Sequence, residues 1–340
     1  MTVTLPDLDA ITRLLPRGYR ARAFREEDRE PLTEERNADL PEVERETAAE
    51  WREWEHMMVD PTQVRVIVES ADDEIVAMLN VSNGGPFRAP DGSAHGSVQV
   101  ARAHRGRGIG GAVVPVLEDE ARRLGAPKLY ARVSAREPES LAFAQRRGYK
   151  EVGRRIQAAI DLDAFDPAKW SERARRPREQ GIAFETLADL RGAMTVDRFE
   201  ALLHEVYDVE AEAWADVPIA TPFPHWSFDV FRQLTLEHPG NALDLDVLAL
   251  DGEKVVGLTT SYRSQGGKKG GTGFTGTLRS YRGRGIAFAL KVDALTRAKA
   301  TGVRWMLTTN DEPNNAMRGI NYALGYVPLP ASIQLEKPLA

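Results

Sequence analysis

The stretch Arg105-Gly106-Arg107-Gly108-Ile109-Gly110 returns later in the chain as Arg282-Gly283-Arg284-Gly285-Ile286-Ala287, with each residue number raised by 177 (282 − 105). A second repeated motif, Gly148-Tyr149 and Gly325-Tyr326, has the same offset in numbering (325 − 148 = 177). One glycine-rich hexapeptide is a weak signal. Two copies in register indicate a duplicated domain whose shared element binds an anion.

The composition favours two globular domains. The chain has 340 residues, of which 42% are hydrophobic and 28% charged, enough for two cores of about 150–170 residues each. The net charge of −6 argues against general nucleic-acid binding, because phosphate affinity needs a basic surface. The absence of cysteine excludes disulfides, thiolate-bound zinc and a cysteine nucleophile. Without a signal peptide or a long apolar stretch, we expect a cytoplasmic monomer or homodimer with no metal and no membrane partner.

Both halves show the same predicted order of elements. Each has a hairpin, then a strand that runs into the glycine motif, a long helix, a strand and a short helix. In the second half the strand before the motif is predicted at 274–277, after a glycine-rich loop at 265–273. We predict domains at 1–164 and 181–340, joined by a charged linker at 165–180 that shows no apolar period. The fold class is therefore α/β, of the α+β type.

The glycine motif suits a polyphosphate that is held mainly by the main chain. A strand that turns directly into a helix leaves the first helical N–H groups free to bind an anion, and the neighbouring arginines add positive charge. The motif is not a dinucleotide-binding fingerprint, because Gly106, Gly108 and Gly110 have the wrong third spacing. It is not a P-loop either, because neither copy contains the Lys-Ser/Thr pair.

The pattern Arg-x-x-Gly-x-Gly/Ala between a strand and a helix resembles the pyrophosphate loop of the GNAT N-acetyltransferase superfamily. The Gly-Tyr pair downstream resembles the second motif of that family, and the similarity covers about 19–160 and 182–335. The resemblance implies two domains, each a mixed, mostly antiparallel twisted sheet flanked by helices. It also implies acetyl-CoA or another acyl-CoA as co-substrate, with the pantetheine arm along the strand before the loop. The implied cofactor-binding residues are Val98, Val100, Arg105, Gly106, Arg107, Gly108, Ile109 and Gly110 in the first half, and Thr275, Thr277, Arg282, Gly283, Arg284, Gly285, Ile286, Ala287, Asn310 and Asn314 in the second.

The same resemblance favours the second half as the catalytic one. The family places a cofactor-binding Asn at the start of the second-motif helix and a proton-donating Tyr seven residues later. These positions are Asn314 and Asn321 in the second half, so the Asn is kept and the Tyr is not, while Tyr322 would point about 100° away. In the first half they are Glu137 and Ala144. We therefore expect catalysis in the second half, with the first half either binding CoA without turnover or only bracing its neighbour.

The catalytic groups are less well determined. Asn321 is a catalytic candidate, although a helix-face residue packing near the cofactor explains it equally well. A main-chain N–H near Thr277 is the candidate for stabilising the tetrahedral oxyanion. The base that deprotonates the amine is left open among His225, Asp311, Glu237, a water chain and the terminal carboxylate of Ala340.

Aromatic and acidic residues in the early helices suit a cationic amine acceptor. The helical core spacing of Val43, Thr47, Trp51, Trp54 and Met58 favours plain packing instead. The acceptor candidates are Trp51, Trp54 and Glu55 in the first half, and Tyr207, Glu210, Trp214, Asp216, His225 and Trp226 in the second.

The leading hypothesis is an N-acyltransferase that moves an acetyl group from acetyl-CoA to a primary amine of a small molecule or peptide, in a ternary complex. The alternative is a non-catalytic acyl-CoA-binding or regulatory protein, because both halves lack the tyrosine. A third hypothesis, transfer of an aminoacyl group from tRNA, is disfavoured by the acidic charge and the intact phosphate loops.

Overall fold

A computed structural model of the chain describes residues 5–57, 62–86, 88–220, 225–238, 240–264 and 266–339, without the side chains of 56 and 57. The described residues form two compact units. Unit 1 takes those of 1–154, 220–224 and 332–340, and unit 2 those of 155–219 and 225–331. Met58 and Ala340, both named above, lie outside the described residues.

Unit 1 is a mostly antiparallel sheet with helices, as predicted. The elements are α1 (Leu8–Leu14), β1 (Tyr19–Ala23), α2 (Arg29–Asn37), α3 (Ala48–Met57), β2 (Val64–Ser70), β3 (Ile75–Ser82), β4 (Ala94–Val100), α4 (Ile109–Arg123), β5 (Lys128–Ser134), α5 (Pro138–Gln145) and β13 (Ser332–Pro338). The strand order is β1-β2-β3-β4-β5-β13, and the β4–β5 pair is parallel while the other pairs are antiparallel. The helix α4 packs its apolar side chains on the sheet, where Val113, Leu117 and Ala121 join the core.

Unit 2 repeats this arrangement. The elements are β6 (Lys150–Asp161, in unit 2 from Arg155), α6 (Ser171–Glu179), β7 (Ile182–Thr186), α7 (Leu187–Ala193), α8 (Val196–Trp214), α9 (Phe228–Leu236), β8 (Val247–Asp251), β9 (Lys254–Arg263), β10 (Lys269–Thr277), α10 (Ile286–Ala300), β11 (Trp305–Asp311), α11 (Asn315–Leu324) and β12 (Val327–Pro328). The strand order is β6-β11-β10-β9-β8-β7, with β12 also paired to β6, and the β10–β11 pair is the parallel one.

The last strand of each half of the sequence completes the sheet of the other unit. The C-terminal strand β13 pairs antiparallel with β5 of unit 1, from Ser332 opposite Ser134 to Pro338 opposite Lys128. In turn β6, which ends the first half of the sequence, pairs antiparallel with β11 of unit 2. The predicted boundaries at 164 and 181 therefore describe the duplication of the sequence, and as borders of folding domains they stay a prediction.

The segment predicted as a linker, 165–180, contains the helix α6. Only Ala174 and Pro177 of this helix face the core and its other positions are mostly charged, which is why no clear apolar period is visible. Arg173 lies over the Phe288 ring at 3.7 Å, and Arg178 lies over the Phe184 ring at 4.7 Å. Stacking of guanidinium groups on aromatic faces attaches this helix to unit 2.

The predicted glycine-rich loop at 265–273 was wrong from Lys269 onward, because those residues belong to β10. Gln265 lies outside the described residues. Glycine is needed here for space and not for a turn. A Cβ on Gly270 would lie 2.7 Å from the Tyr262 carbonyl oxygen and 2.8 Å from the Met306 sulfur. Because the neighbouring strands come so close, this part of β10 needs glycine, and its glycine-rich sequence looks like that of a loop.

We expect Gly270→Ala to destabilise the protein by about 1–3 kcal/mol, because the added methyl group has no space beside backbone and core atoms. Urea denaturation measures this change. Gly192→Ala is the matched control, since nothing lies within 4 Å of a Cβ at that exposed position in α7. It should leave stability unchanged or raise it by about 0.5–1 kcal/mol. Equal effects of the two substitutions would contradict the packing explanation.

Candidate functional site

Both glycine motifs form the turn that starts a long helix. Gly283 and Gly285 have φ angles of +79° and +83°, and Gly106 and Gly108 have φ angles of +75° and +90°. These left-handed conformations are costly for residues with a Cβ, so glycine is required. Gly285 caps the N-terminus of α10, and Gly108 caps that of α4.

The loop of unit 2 exposes main-chain donors to a ligand. The first helical hydrogen bond after the turn runs from the Ala289 N–H to the Gly285 carbonyl, so the N–H groups before it are the unpaired first-turn donors of α10. Ile286 is 1% exposed and belongs to the core, which leaves its backbone as the part that can contact a ligand. Nothing lies within 4 Å of a Cβ placed on Gly283, so the approach to the loop is open.

The arginines of this loop are held by neighbours in the structure. The Arg282 guanidinium lies 2.8 Å from the Asp216 carboxylate, which Arg279 also contacts at 2.8 Å. Hydrogen bonds from Arg279 and Arg282 lower the pKa of Asp216 to about 2. Arg284 lies over the Tyr281 ring at 4.7 Å. Both loop arginines therefore stay beside the loop, where they can add charge for a phosphate.

The strands β10 and β11 separate as they approach the loop. They pair only from Lys269 to Gly271, so β10 beyond Gly271 does not pair with β11. The pairing of β10 with β9 also shifts register between Thr272 and Phe274. A bulge of this kind redirects the strand and leaves main-chain groups for a ligand. Unit 1 shows the same separation, because β4 and β5 pair only at Ala94 and His95, but β3 and β4 pair without a register shift.

The predicted side chains of unit 2 surround this opening. Thr275 and Thr277 lie on β10, where the Thr275 hydroxyl is 2.8 Å from the Thr259 hydroxyl. Asn314 caps α11, its Oδ1 accepting from the Met317 N–H at 3.2 Å. Asn321 is 1% exposed and donates from Nδ2 to the Asn310 Oδ1 at 2.7 Å. The structure thus brings Asn310 and Asn321 together, while their roles stay predictions.

In unit 1 a carboxylate occupies the position that corresponds to Asn314. Glu137 lies 3.1 Å from the Arg105 guanidinium and accepts from the Ser140 hydroxyl at 2.8 Å. Although partial burial opposes ionisation, bonds from Ser140 and Arg105 hold the pKa of Glu137 below its usual value. An ionised carboxylate at this loop repels phosphate and competes for its arginine. Val98 and Val100 are half-buried on β4 and pack against the core of unit 1.

Aromatic and acidic groups converge on the other face of the unit 2 sheet. Glu210 on α8 is 6% exposed, and its Oε1 lies 3.5 Å from His225 Nε2. That Nε2 atom has no hydrogen-bond partner among the described residues. The His225 ring lies 4.9 Å from Tyr207 and 6.1 Å from Trp214, measured between centroids. Trp214 also packs on Phe274 at 5.9 Å, which connects this cluster to the bulge in β10.

The corresponding region of unit 1 already holds its own cations. The Glu55 carboxylate forms salt bridges with Arg29 and Arg65. Those two guanidinium groups and that of Arg36 lie over the Trp51 ring, at 4.7, 5.7 and 4.4 Å. Trp54 is half-exposed on the same helix. Arginines of unit 1 therefore take the place that a cationic ligand would need.

Three further candidates lie away from this cluster. Asp311 is buried, with the Arg155 guanidinium 3.8 Å away. Glu237 is exposed at the end of α9, 3.7 Å from Arg232. Tyr322 is 38% exposed and lies beside Arg318, as its position on the helix next to Asn321 predicts.

Sequence reasoning missed two buried ionisable groups of unit 2. Lys291 is 2% exposed in the middle of α10, and Asp246 is 3% exposed before β8. Burial raises the pKa of Asp246 well above its usual value, which the Ser261 N–H hydrogen bond partly offsets and nearby Glu210 increases. Burial lowers the pKa of Lys291 to about 7. For Lys291, the available signal in the sequence was a lysine at a position of α10 where the helical pattern expects an apolar residue.

The model of the acetyltransferase (GNAT) family matches the sequence twice, over residues 22–149 and 203–326. Together these regions cover more than half of the chain. The chain belongs to the acetyltransferase (GNAT) family. Each match contains one glycine loop and one Gly-Tyr pair, so both copies of the duplication are GNAT copies, as the sequence predicts. Membership supports acyl transfer as the general activity. No curated protein sequence matches this chain.

Solved structures share the tandem GNAT fold along nearly the whole chain. A GCN5-related N-acetyltransferase from Sphaerobacter thermophilus is 24% identical, with a TM-score of 0.73, covering 96% of this chain and 97% of that one. A tandem GNAT protein from the clavulanic acid biosynthesis pathway is 19% identical, with a TM-score of 0.70, covering 95% and 99%. A GCN5-related glucosamine N-acetyltransferase region of a fungal multi-domain enzyme is 15% identical, with a TM-score of 0.67, covering 94% and 38%.

The described residues contain neither a membrane span nor a metal cluster. Within the described ranges, none of the helices has the length and apolar character needed to cross a bilayer. In the same part of the chain, no group of three or more histidine, aspartate or glutamate side chains is placed to hold a metal ion.

Proposed function

We propose that this GNAT protein is an acetyl-CoA-dependent N-acetyltransferase. It transfers the acetyl group directly to a primary amine of a small molecule or peptide, within a ternary complex, and the active site lies in unit 2. The proposal rests on family membership together with one structural contrast. Unit 2 combines the open glycine loop with the bulge in β10 and the amide of Asn314, whereas in unit 1 β4 pairs without a register shift and Glu137 takes the position of Asn314.

The residues of unit 2 fit an acyl-CoA. The first-turn N–H groups of α10 and the arginines Arg282 and Arg284 would hold the pyrophosphate. The unpaired edge of β10 from Thr272 to Thr277 would bind the amides of the pantetheine arm, much as a neighbouring strand would. Asn314, which caps α11 through its Oδ1, keeps an amide group for the same ligand. Bound acetyl-CoA supplies an activated thioester carbonyl.

The residues around the opening supply what the reaction needs beyond the thioester. A primary amine has a pKa near 10 and is mostly charged at neutral pH, so it must lose a proton before it attacks. We assign this step to His225, whose Nε2 is without a hydrogen-bond partner among the described residues and lies beside Glu210. A main-chain N–H on the unpaired edge of β10, where the pantetheine arm ends near Thr272, would stabilise the tetrahedral oxyanion, because Thr277 lies at the loop end of that edge. Positioning both reactants supplies much of the remaining rate enhancement.

The acceptor is proposed to be a cation. The buried Glu210 carboxylate and the rings of Tyr207 and Trp214 form a surface that favours positive charge. In unit 1 the neighbouring Trp51 and Glu55 together bind three arginines, so a tryptophan beside a glutamate is an arrangement that suits cations. Unit 2 lacks such internal arginines among the described residues around Glu210.

A thiol-release assay with acetyl-CoA tests this function against polyamines, aminoglycosides, amino acids and peptide N-termini. Because the chain contains no cysteine, every thiol detected comes from CoA. We expect amine-dependent release that Asn314→Ala reduces. For the acceptor found, we expect Glu210→Gln to raise the KM by about tenfold or more, equivalent to about 1.4 kcal/mol of lost binding. Glu237→Gln, at an exposed glutamate outside the cluster, should not change the KM.

The alternative is an acyl-CoA-binding or regulatory protein without catalysis. It is favoured by one observation, namely that Asn321 and Ala144 replace the proton-donating tyrosine in both copies. CoA binding without thiol release from any amine in the panel would support this alternative over the enzyme.

A further inference from the structure

Lys291 is a buried lysine without an anionic partner among the described residues. Its side chain is 2% exposed, and its Nζ lies 3.3 Å from the Thr272 hydroxyl, the hydrogen bond found for it among the described residues. The Nζ also lies 5.3 Å from the centre of the Tyr326 ring. Burying an ammonium group without a carboxylate costs several kcal/mol, so a residue of this kind needs a reason.

A second polar residue of unit 2 has an atom without a partner. The Asn321 Oδ1 is buried and has no hydrogen-bond partner among the described residues, whereas the Tyr326 hydroxyl interacts with the Thr272 side chain. Asn321 is 1% exposed and Tyr326 is 3% exposed. Buried polar groups in proteins are nearly always paired, so an unpaired one points to a ligand.

The duplication shows that the fold does not require these polar groups. At the offset that relates the two copies (291 − 114 = 177), Val114 corresponds to Lys291 and Ala144 corresponds to Asn321. Val114 is 6% exposed and packs in the core of unit 1, so an apolar residue serves at the same helical position. Tyr149 is the counterpart of Tyr326 and donates its hydroxyl to the Glu118 carboxylate at 3.2 Å. The Tyr326 hydroxyl has no carboxylate partner among the described residues.

The location of Lys291 connects it to the reacting end of the proposed co-substrate. Thr272 is the first residue of β10 beyond the parallel pairing with β11, so Lys291 stands where the two strands begin to separate. The stretch of β10 from Thr277, beside the loop, to Thr272 spans roughly 17 Å. A pantetheine arm that starts at the loop and follows β10 therefore brings its sulfur atom toward Thr272 and Lys291.

We infer that Lys291 is the catalytic residue that protonates the departing CoA thiolate, in place of the tyrosine that this family member lacks. This inference rests on the proposed function. In the step, the neutral acceptor nitrogen forms a bond to the acetyl carbon, and the carbonyl electron pair moves onto oxygen. When the carbonyl re-forms, the carbon–sulfur bond breaks and the nitrogen releases its surplus proton to solvent. The sulfur takes the electron pair of that bond and then a proton from the Lys291 ammonium. Lys291 regains a proton from solvent after the product leaves.

The surroundings of Lys291 suit this exchange of protons. The ionisable group that faces it is Tyr326, after α11, and Tyr326 in turn interacts with Tyr262 on β9. Burial raises the pKa of Tyr326 above its usual value, so this hydroxyl stays neutral near pH 7. Asp293, on the same helix, is paired with Arg178 and Arg297 instead. With burial lowering the pKa of Lys291 to about 7, the lysine can both hold and release a proton near neutrality.

The test measures the thiol pKa of CoA bound to the full-length protein, through the ultraviolet absorbance of the thiolate. The protein has no cysteine, so this signal belongs to CoA alone. An ammonium group near the sulfur stabilises the thiolate, so we expect the thiol of bound CoA to titrate at least about one pH unit lower in the wild type than in Lys291→Met. Lys291→Gln, which keeps a donor toward Thr272, is the second variant and should behave like Lys291→Met.

Two controls separate the possible failures. Lys299→Met removes a lysine about 12 Å further along α10, and it should leave the thiol pKa as in the wild type. Both Lys291 variants should bind CoA and melt no lower than the wild type, because they remove a buried charge. Equal thiol pKa values in the wild type and both Lys291 variants would overturn the inference while leaving the proposed function intact. Failure of the wild type to bind CoA would instead defeat the proposed function.

Discussion

Gly285→Val is expected to weaken acetyl-CoA binding by at least about tenfold. Gly285 has a φ angle of +83° at the N-cap of α10, a conformation in which a Cβ costs about 1–2 kcal/mol and a β-branched side chain more. The turn must therefore open, which moves the first N–H groups of α10 away from the phosphate position. A loss of about 1.4 kcal/mol corresponds to a factor of ten in Kd. Isothermal titration calorimetry with acetyl-CoA measures both the affinity and the number of sites.

The duplication supplies the matched control for this substitution. Gly108→Val imposes the same backbone strain, at a φ angle of +90°, on the loop of unit 1. Because Glu137 places a carboxylate where unit 2 has the amide of Asn314, we expect one site per chain and an unchanged affinity in Gly108→Val. If Gly108→Val lost binding while Gly285→Val kept it, the cofactor site would belong to unit 1.

Leu335→Ala, near the C-terminal end of the chain, is expected to destabilise unit 1 by about 2–5 kcal/mol. Leu335 is fully buried and belongs to the core of unit 1, together with Leu129 and Val113. Its strand, β13, pairs along the whole of β5. Hydrogen exchange followed by mass spectrometry should therefore show lost protection in β4 and β5, although the substitution is far away in sequence.

Ile160→Ala is the reciprocal variant. Ile160 is 4% exposed on β6 and packs in the core of unit 2 with Met306 and Phe288. We expect lost protection in β10 and β11, with unit 1 less affected. Should Leu335→Ala instead expose β10 and β11 while leaving β5 protected, the exchange of last strands between the two halves would be refuted.

The sequence predicted those elements that depend on a glycine with a positive φ angle or on the apolar period of a helix. The glycine loops, the helices that follow them and the Gly-Tyr pairs are visible because each depends on residues adjacent in sequence. The helix α6 and the first part of β10 were not predicted. Arg173 lies over the Phe288 ring, and Gly270 is selected by the Tyr262 carbonyl and the Met306 sulfur, so the deciding contacts are made with other elements of the fold.

The candidate site divides in the same way. The loop residues and Asn314 could be named from motif spacing, and their roles as ligand-binding groups stay predictions. Lys291 could not be named, because a lysine on a helix is normally exposed, and only packing against Thr272 and Tyr326 makes it a buried group with an altered pKa. The strong contrast between Glu210 and Glu55 also depends on which arginines fold against each carboxylate.

The sequence by itself determined that the chain is a tandem GNAT protein, because the two glycine loops are local structures encoded by glycines at fixed spacing. Only the tertiary structure decided which strand completes which sheet, and which carboxylate pairs with the arginine of each loop. Strand pairing and charge neutralisation depend on contacts between residues far apart in the chain, so the sequence around one residue does not predict its partner.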